Sequence, residues 1–492
     1  MTNDLIAGSI NVISTVIYMS TVQRVAKNTG IVIAGDIIFR IISLFVMIYL
    51  ARYLGPSDFG KYSFIFVYLS FFGIMTDFGF QKILVREMAR DLSISPKLIG
   101  NAYIIRWILT IIAVVSSMTI ITLMSYPADT TTYVYIAAFT VLFISFSDFY
   151  TTIFQANLRM EYNIIAKLTF KVISAGLIVW IIFANGTLMQ VMIALVISEM
   201  VKTLLNYLFS KKFVRPRYEI DFGLWKYLFK EALPLAIYGV IWILYFRIDV
   251  VMISVMQGDA PVGIYSAAYK LSEPLSLIPY AIMVSIFPIM SASFKSSKER
   301  LIKSYRLAIK YILILMLPIA MGTTLIADKI IFLIFGTEFG GSVMVLQILI
   351  WALLFTSINS VLLELLLSIN QQRLNAICIA ICAIANVILN FFLIPMLSYN
   401  GAAIASVAAT IILFGLSFYF VSKYLLLLRI QNVIIKSVIS VLTMGAFIYY
   451  LRDVNIFLLV PLAGLVYLLA LLVLRTFDRE DIDIIKKILT KR

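Results

Sequence analysis

The stretch YLGPSDFGKYSF, residues 53–64, places two glycines, a proline and an aspartate between two strongly apolar segments. A second stretch, MQGDAPVGIYSA at residues 256–267, repeats part of it. The residues of the first copy that recur at the same spacing are Gly55, Gly60, Tyr62 and Ser63. Read alone, each stretch is typical of a tight polar turn. Four identities in twelve positions at one offset also indicate an internal duplication.

The segments around these stretches are apolar enough for a lipid bilayer. The chain of 492 residues is 62% hydrophobic and 13% charged, with a mean hydropathy of +1.02, far above soluble domains. Apolar runs of about 20 residues are long enough to cross the hydrocarbon core of a bilayer as helices. We therefore predict an all-α polytopic membrane protein with about 14 transmembrane helices. The predicted spans are 31–54, 61–79, 99–124, 131–154, 164–184, 188–209, 231–254, 262–290, 306–326, 342–368, 375–397, 400–422, 433–451 and 455–474.

The formal net charge of +15 is explained by topology. Of the 40 Lys and Arg residues, 30 lie at or near the side that holds both termini, four lie at or near the opposite side, and the other six lie deeper within the spans. The positive-inside rule then predicts both termini in the cytoplasm. Nucleic acid is not expected as a partner, whereas membrane lipid is.

The duplication predicts the domain organisation. The repeated stretch joins spans 1 and 2, and then spans 7 and 8, so the copies have the same orientation and form parallel repeats, an arrangement that transporters use. The expected parts are an N-terminal cytoplasmic or amphipathic segment (1–30), an N-lobe of spans 1–6 (31–209), a basic linker (210–230), a C-lobe of spans 7–12 (231–422), two extra helices (423–474) and a basic cytoplasmic tail (475–492).

Several stretches resemble one family. RIISLFVMIYLARYLGPSDFGKYSF and DFGFQKILVREMAR (77–90), then FRIDVVMISVMQGDAPVGIYSAAYKLSEP (246–274), FGTEFGGSVMVLQIL and LNFFLIPMLSYNGAAIASV, are similar to Wzx-type polysaccharide flippases of the multidrug/oligosaccharidyl-lipid/polysaccharide exporter superfamily. The resemblance covers most of residues 31–422. It implies a fourteen-helix fold that moves a polyprenyl-diphosphate-linked oligosaccharide across a prokaryotic cell membrane. We expect alternating access, with its direction set by an ion gradient, by the membrane potential or by removal of the product outside. H⁺ or Na⁺ and a glycan polymerase or ligase are candidate partners.

Charged residues within spans are expensive and are functional candidates by default. In the predicted first lobe they are Asp36, Arg40, Arg106, Asp148, Lys171, Glu199 and Lys202, and in the second Arg247, Asp249, Lys270, Glu273 and Glu364. Their spacing lets Asp36 pair with Arg40 and places Lys270 and Glu273 on one face. For Arg106 and Lys202, near span ends, snorkelling to the interface is favoured.

Basic residues in a water-filled cavity would offset the desolvation of a lipid diphosphate. The candidates for this role are Arg40, Arg52, Arg247 and Lys270. In the related lipid II flippases basic residues on the first and eighth spans hold the diphosphate, and by this resemblance Arg52 and Lys270 match them. A second interpretation of Arg52 is an interfacial anchor. Tyr245, Tyr265 and Tyr269 are candidates for stacking on sugars, although most aromatic residues are expected to face lipid, pack between helices or sit in interfacial belts.

Ion coupling needs a carboxylate deep in the membrane. Asp249 is the favoured site, because it is too deep in its span to reach the interface and could exchange a proton or cation. The other candidates for coupling are Asp36, Glu273 and Glu364. No His is present, so the commonest general base is missing, and we predict no catalytic residues, no metal site and no cofactor.

Two alternatives stay open at the level of sequence. A cation-coupled multidrug antiporter of the same superfamily would take smaller, cationic substrates, and the mixed charge in the spans argues against it. A membrane glycosyltransferase or ligase would need an acidic catalytic group and usually a large outer domain, but the predicted outer loops are short. No G-x-x-x-x-G-K-[ST] motif occurs, so ATP is not expected to drive transport directly.

Overall fold

The computed structural model describes the backbone of residues 2–424 and 431–477, and the side chains of residues 35, 36, 38–294, 296–424 and 431–477. This part of the chain is all α-helical, with no strand. The first seven helices are α1 (Thr2–Asp77), α2 (Phe80–Arg90), α3 (Ser95–Leu123), α4 (Ala128–Ala156), α5 (Glu161–Phe183), α6 (Leu188–Ser210) and α7 (Phe222–Gln257). The other seven are α8 (Asp259–Ser272), α9 (Leu277–Ser296), α10 (Lys298–Ile334), α11 (Ser342–Ser368), α12 (Gln372–Tyr424), α13 (Gln431–Tyr450) and α14 (Ile456–Val473). The predicted tail beyond Phe477 lies outside the described residues.

Twelve helical segments of the described chain are long and apolar enough to cross a membrane. Two of them, Ile38–Arg90 and Gln372–Tyr424, have 53 residues each, about 80 Å of helix against roughly 30 Å of hydrocarbon. Each contains a non-helical residue, Gly55 (φ 68°) in α1 and Ser398 (φ 52°) in α12. Each is therefore long enough for two crossings, which agrees with the prediction of about fourteen spans.

The described contacts divide the chain into two compact units. The first contains Met1–Leu54 and Ile65–Ile243, and the second contains Gly55–Phe64 and Leu244–Arg492. A short segment around the first copy of the repeated stretch thus belongs to the same unit as the second copy.

In the first unit, α2 is an amphipathic helix. It begins after Gly79, which has a left-handed conformation (φ 83°), and its buried face carries Phe80, Leu84 and Met88. These side chains pack in one core cluster with Leu228 on α7. Hydrophobic length alone does not reveal this helix as a separate element, because its apolar residues form a stripe rather than a continuous run.

The connection between α6 and α7 is tied to α3. The backbone N–H of Arg217 donates to the carbonyl of Pro96 at 2.9 Å, and Asn101 Oδ1 accepts from Asp221 N and from Trp225 Nε1, both at 2.9 Å. Lys97 Nζ lies 2.7 Å from Asp221 Oδ2, and this hydrogen bond holds the pKa of the Asp221 carboxyl below its ordinary value. The basic linker is therefore anchored to its unit by specific contacts.

In the second unit, α9, α10 and α11 share one buried core that includes Met290, Ile312 and Leu362. Helices α13 and α14 pack on α10 through a second cluster. The Tyr467 hydroxyl of α14 donates to the backbone carbonyl of Ile314 at 2.8 Å. The last two helices are thus part of this unit's packed structure.

The two copies of the repeated stretch pack on each other through glycines at equivalent positions. A Cβ built on Gly60 would lie 1.8 Å from the carbonyl oxygen of Asp259, and one built on Gly263 would lie 1.9 Å from the carbonyl oxygen of Pro56. Pro56 and Asp259 occupy the same place in the two copies, so the contact is reciprocal. Only glycine allows the two backbones to approach this closely.

The first glycine of each copy has a structural role different from that of Gly60 and Gly263. Gly55 (φ 68°) and Gly258 (φ 86°) have the positive φ that glycine adopts without strain. Each marks the break between two helices, so the predicted polar turn is only a single non-helical residue in α1 and the gap between α7 and α8. The repeated sequence therefore encodes a helix break followed, five residues later, by a close helix crossing.

Candidate functional site

The span Asp259–Phe294 is interrupted near its middle, and a charged cluster lies at the interruption. Helix α8 ends at Ser272, and a 3₁₀ turn, Glu273–Ser276, connects it to α9. Pro274 lies in this turn and lacks the N–H that a regular helix would use. Irregular backbone at membrane depth is tolerated where it is buried in protein or lines a water-filled cavity, so this break is a suitable place for a binding site.

Two cations share one carboxylate at this break. Lys270 Nζ lies 2.9 Å from Oε2 of Glu273, and Arg247 Nη2 lies 3.3 Å from Oε1 of the same residue. The guanidinium of Arg247 also lies 5.0 Å from the ring centroid of Tyr269, within the range of a cation–π interaction. We call Arg247, Lys270, Glu273 and Tyr269 the basic cluster. Its formal charge is +1.

The charged side chains of the basic cluster are accessible. Arg247, Lys270 and Glu273 have 27%, 34% and 36% of their side-chain surface exposed. The expected shared face of Lys270 and Glu273 is confirmed by their contact. Tyr269 lies against Arg247 and is the one of the three predicted sugar-stacking tyrosines that belongs to the cluster.

Asp249 lies in a closed environment that adjoins the basic cluster, because the ring of its partner Tyr265 stacks on Tyr269 with centroids 6.3 Å apart. It is 5% exposed, and its carboxylate accepts hydrogen bonds from the Tyr265 hydroxyl and from the backbone N–H of Val250 at 2.9 Å. The Tyr265 oxygen also lies 3.5 Å from Ser406 Oγ on α12. Tyr265 is fully buried, so it packs inside the protein and is not available to stack on a sugar in this structure.

The expected Asp36–Arg40 pair of the first unit is not formed. Asp36 instead lies 2.5 Å from Lys167 Nζ on α5, a partner that is distant in sequence and gave no periodic signal. Arg40 is exposed, and the described residues offer it no ion pair. Arg52 is also exposed, close to the helix break at Gly55.

The predicted snorkelling of Arg106 and Lys202 is wrong. Arg106 is 3% exposed; its Nη1 donates to Asp77 Oδ1 at 2.6 Å and its Nε to Ser145 Oγ at 2.8 Å. Lys202 Nζ lies 2.5 Å from Glu199 Oε2, one turn away. Both cations are paired with carboxylates inside the protein. These pairs lower the cost of burying the two charges, so neither side chain has to extend to the membrane interface.

A cavity of about 520 Å³ lies beside the Arg106 network in the first unit. Its lining includes Asp77, Lys82, Arg106, Asp148 and Tyr238 among largely apolar residues. Asp148 is exposed, and none of the described side chains forms a hydrogen bond or ion pair with its carboxylate. Sequence reasoning listed Asp148 only as one of many charges within spans.

The last predicted coupling residue, Glu364 on α11, is half-buried. No ion pair or hydrogen bond of its side chain is found within the described ranges. No group of three or more His, Cys, Asp or Glu residues with metal-binding geometry occurs in that part of the chain either. Within the second unit the structure thus brings together Arg247, Lys270 and Glu273.

Comparison with known proteins places this arrangement in a family. The family model for polysaccharide biosynthesis proteins matches residues 25–294, more than half of the chain. The chain belongs to the polysaccharide biosynthesis protein family. A second family model, MatE, matches residues 234–392, so the chain is a multi-pass membrane protein of the superfamily that includes both groups.

Two relatives of this family member are named as flippases. The chain is 24% identical over 365 residues to the probable low-salt glycan biosynthesis flippase Agl15 of Haloferax volcanii, covering 73% of this chain and 75% of the relative. It is 30% identical over 173 residues to the probable flippase AglR of the same organism, covering 33% of this chain and 35% of the relative.

Solved structures of the superfamily share the fold. The lipid II flippase MurJ in an inward closed conformation aligns with a TM-score of 0.73 at 16% identity, covering 89% of this chain and 97% of that one. An inward-facing multidrug resistance MATE transporter aligns with a TM-score of 0.64 at 16% identity, covering 78% and 95%. The all-α architecture predicted from the sequence is thereby confirmed.

Proposed function

We propose that this protein moves a polyprenyl-diphosphate-linked oligosaccharide across a prokaryotic cell membrane by alternating access, for surface polysaccharide or glycoprotein assembly. The observation that carries the proposal is the basic cluster, which places two accessible cations at a helix break within an apolar span. Arg and Lys bind phosphate oxygens through charge-assisted hydrogen bonds. The family membership and the flippases among its relatives support the same reaction.

The substrate divides naturally between the protein and the bilayer. Its prenyl tail is compatible with lipid, whereas the diphosphate and glycan need a polar path. In this proposal Lys270 and Arg247 hold the diphosphate. Arg40 and Arg52, which are exposed in the first unit, are proposed as further contacts for the anionic head group. The protein acts as a transporter and makes or breaks no covalent bond.

We assign the coupling ion, H⁺ or Na⁺, to Asp249. An acid that is 5% exposed at this depth is costly to keep ionised, so its charge state can respond to the position of the transport cycle. Asp36, Glu273 and Glu364 were the other candidates. Asp36 and Glu273 are engaged by cations in the structure, whereas Asp249 is held by hydrogen bonds to neutral groups.

The coupling role has a direct test. Asp249→Asn keeps the size and one oxygen of the side chain and removes the charge. We expect it to retain the fold and to abolish the stimulation of transport by an ion gradient. Full gradient-dependent activity in this variant would remove Asp249 from the mechanism.

In the remaining parts of the proposal, both termini face the cytoplasm, as the distribution of Lys and Arg favours, and a glycan polymerase or ligase receives the product. Cysteine labelling from either side of intact cells tests the orientation. A cysteine introduced at Ser297, in the basic connection before α10, is expected to react only when the reagent can enter the cell.

The transport reaction is tested in proteoliposomes. A fluorescent lipid-linked oligosaccharide is supplied in both leaflets, and a membrane-impermeant quencher reports how much label becomes accessible with time. We expect faster equilibration than in vesicles without protein. The competing function, a multidrug antiporter, is tested in the same vesicles with a cationic dye. Dye transport without any acceleration of the lipid-linked oligosaccharide would reject the proposal and favour the antiporter.

A further inference from the structure

The basic cluster contains its own anion. Each oxygen of the Glu273 carboxylate faces a different cation, Oε1 towards Arg247 at 3.3 Å and Oε2 towards Lys270 at 2.9 Å. Arg247 comes from α7 and Lys270 from α8, so one carboxylate holds together cations from two helices. This is the arrangement in which a small bidentate oxyanion would bind.

We propose that Glu273 is an internal counter-anion, which occupies the phosphate position of the basic cluster and is displaced when the diphosphate of the substrate binds. The inference rests on the proposed function. It gives Glu273 a role different from ion coupling, because both of its oxygens face cations of the substrate site.

The position of Glu273 in the chain allows such a displacement. It is the first residue of the 3₁₀ turn and is followed by Pro274, so its backbone lies at the edge of regular helix. Its side chain is 36% exposed and is not enclosed by the core. The carboxylate can therefore leave both cations by side-chain rotation without unfolding a buried helix.

Charge explains why the exchange favours a diphosphate. A diphosphate carries more negative charge and more acceptor oxygens than a carboxylate, so it forms stronger charge-assisted hydrogen bonds with Arg and Lys. After the substrate leaves, Glu273 returns and pairs the two cations again. The internal anion thus weakens binding of the diphosphate and promotes its release, and a transporter must release its substrate after each crossing.

The test measures binding of farnesyl diphosphate, a short prenyl diphosphate, to the purified full chain in nanodiscs. Glu273→Gln keeps the shape of the side chain and removes the competing charge. We expect its Kd to fall by about tenfold, equivalent to about 1.4 kcal/mol. Asp328→Asn is the matched control: Asp328 is ion-paired with Arg452 at 2.8 Å in the same unit, so this variant makes the same change in net charge elsewhere. Its Kd is expected to stay unchanged.

A second pair of variants separates competition from a structural role. In a Lys270→Gln background one of the two cations is already missing, so we expect Glu273→Gln to improve binding by less than about threefold, a coupling that a double-mutant cycle reports. A purely structural salt bridge predicts the opposite sign, since its loss would loosen the break and weaken binding.

The outcomes that would overturn the inference differ in what they imply for the proposed function. Parent protein that binds farnesyl diphosphate, with Glu273→Gln binding equally or more weakly, overturns the inference and leaves the proposed function intact. Loss of the folded state in Glu273→Gln, seen by size-exclusion chromatography, also overturns it, because Glu273 would then be a structural residue. Parent protein without measurable binding overturns both this inference and the assignment of the diphosphate to the basic cluster.

Discussion

The close crossing of the repeated stretches leads to a sharp prediction for Gly60→Ala. The added Cβ would lie 1.8 Å from the carbonyl oxygen of Asp259 and 2.7 Å from its carbon. Real Cβ atoms keep at least 3.0 Å from such neighbours, so the two backbones must separate by about 1.2 Å. The obstacle is backbone, which cannot rotate away as a side chain can.

The expected cost is at the upper end of the range for overpacking, about 3 kcal/mol. It exceeds the roughly 0.5–1 kcal/mol by which alanine is favoured over glycine in a helix. Because the contact is reciprocal, Gly263→Ala meets the carbonyl oxygen of Pro56 at 1.9 Å and should cost a similar amount. Gly415→Ala is the matched control: it is a helical glycine of the same unit with nothing within 4 Å of the added Cβ.

The assay is thermal unfolding of the purified variants in one detergent, followed by tryptophan fluorescence. We expect Gly60→Ala and Gly263→Ala to unfold several degrees below the parent, and Gly415→Ala at or slightly above it. Equal midpoints for all three variants would refute the packing argument, because the repeated glycines would then serve only as turn residues.

Two further predictions concern the first unit. Arg106→Met leaves Asp77 and the Ser145 carbonyl without their buried partner, so we expect a loss of about 3 kcal/mol in the free energy of unfolding. Asp77→Asn should restore part of this loss in a double variant. An Arg106→Met variant as stable as the parent would contradict the role of this pair. Asp221→Asn keeps an oxygen for the backbone N–H of Leu224 but loses the ion pair with Lys97. Because Lys97 holds the pKa of Asp221 below its ordinary value, the stabilisation that this ion pair supplies is fully present above the pKa of Asp221 in the unfolded chain. It is lost as pH falls through the lower pKa of Asp221 in the folded protein. The midpoint difference between parent and Asp221→Asn should therefore shrink as pH falls below about 4, the ordinary pKa of an aspartate carboxyl; a difference that is constant with pH would reject this explanation.

The sequence predicts the membrane-spanning architecture well because hydrophobic length is a local property. Runs of about 20 apolar residues mark the crossings whether or not the helices are continuous. The breaks in α1 and α12 show the limit of this signal. Gly55 was recognisable from its repeat, whereas Ser398 has a positive φ that its residue type does not favour, so the second break was not recognisable from the sequence.

Side-chain partners within one helix were predictable, and those between helices were not. The contact of Lys270 with Glu273 follows from their spacing of three residues. The partner of Asp36 is Lys167, 131 positions away, and that of Arg106 is Asp77, 29 positions away. Such pairs depend on how helices pack. The sequence alone therefore favoured Arg40 as the partner of Asp36, and the membrane interface as the position of the charged group of Arg106.

The repeated stretch held more information than its residue types indicated. Glycine and proline pointed to a turn, but the positions of Gly60 and Gly263 are determined by backbone approach between the copies. Aligning the chain with itself was the one sequence signal that distinguished these glycines from the others.

The central claim, that the basic cluster holds the diphosphate of the cargo, is tested most directly by the flipping rate of Lys270→Gln in proteoliposomes. Lys298→Gln, an exposed lysine at the start of α10, is the control for loss of one positive charge. We predict that Lys270→Gln slows movement of the fluorescent lipid-linked oligosaccharide by about tenfold, equivalent to about 1.4 kcal/mol, whereas Lys298→Gln matches the parent. A Lys270→Gln protein that is folded and flips the lipid at the parental rate would contradict the account.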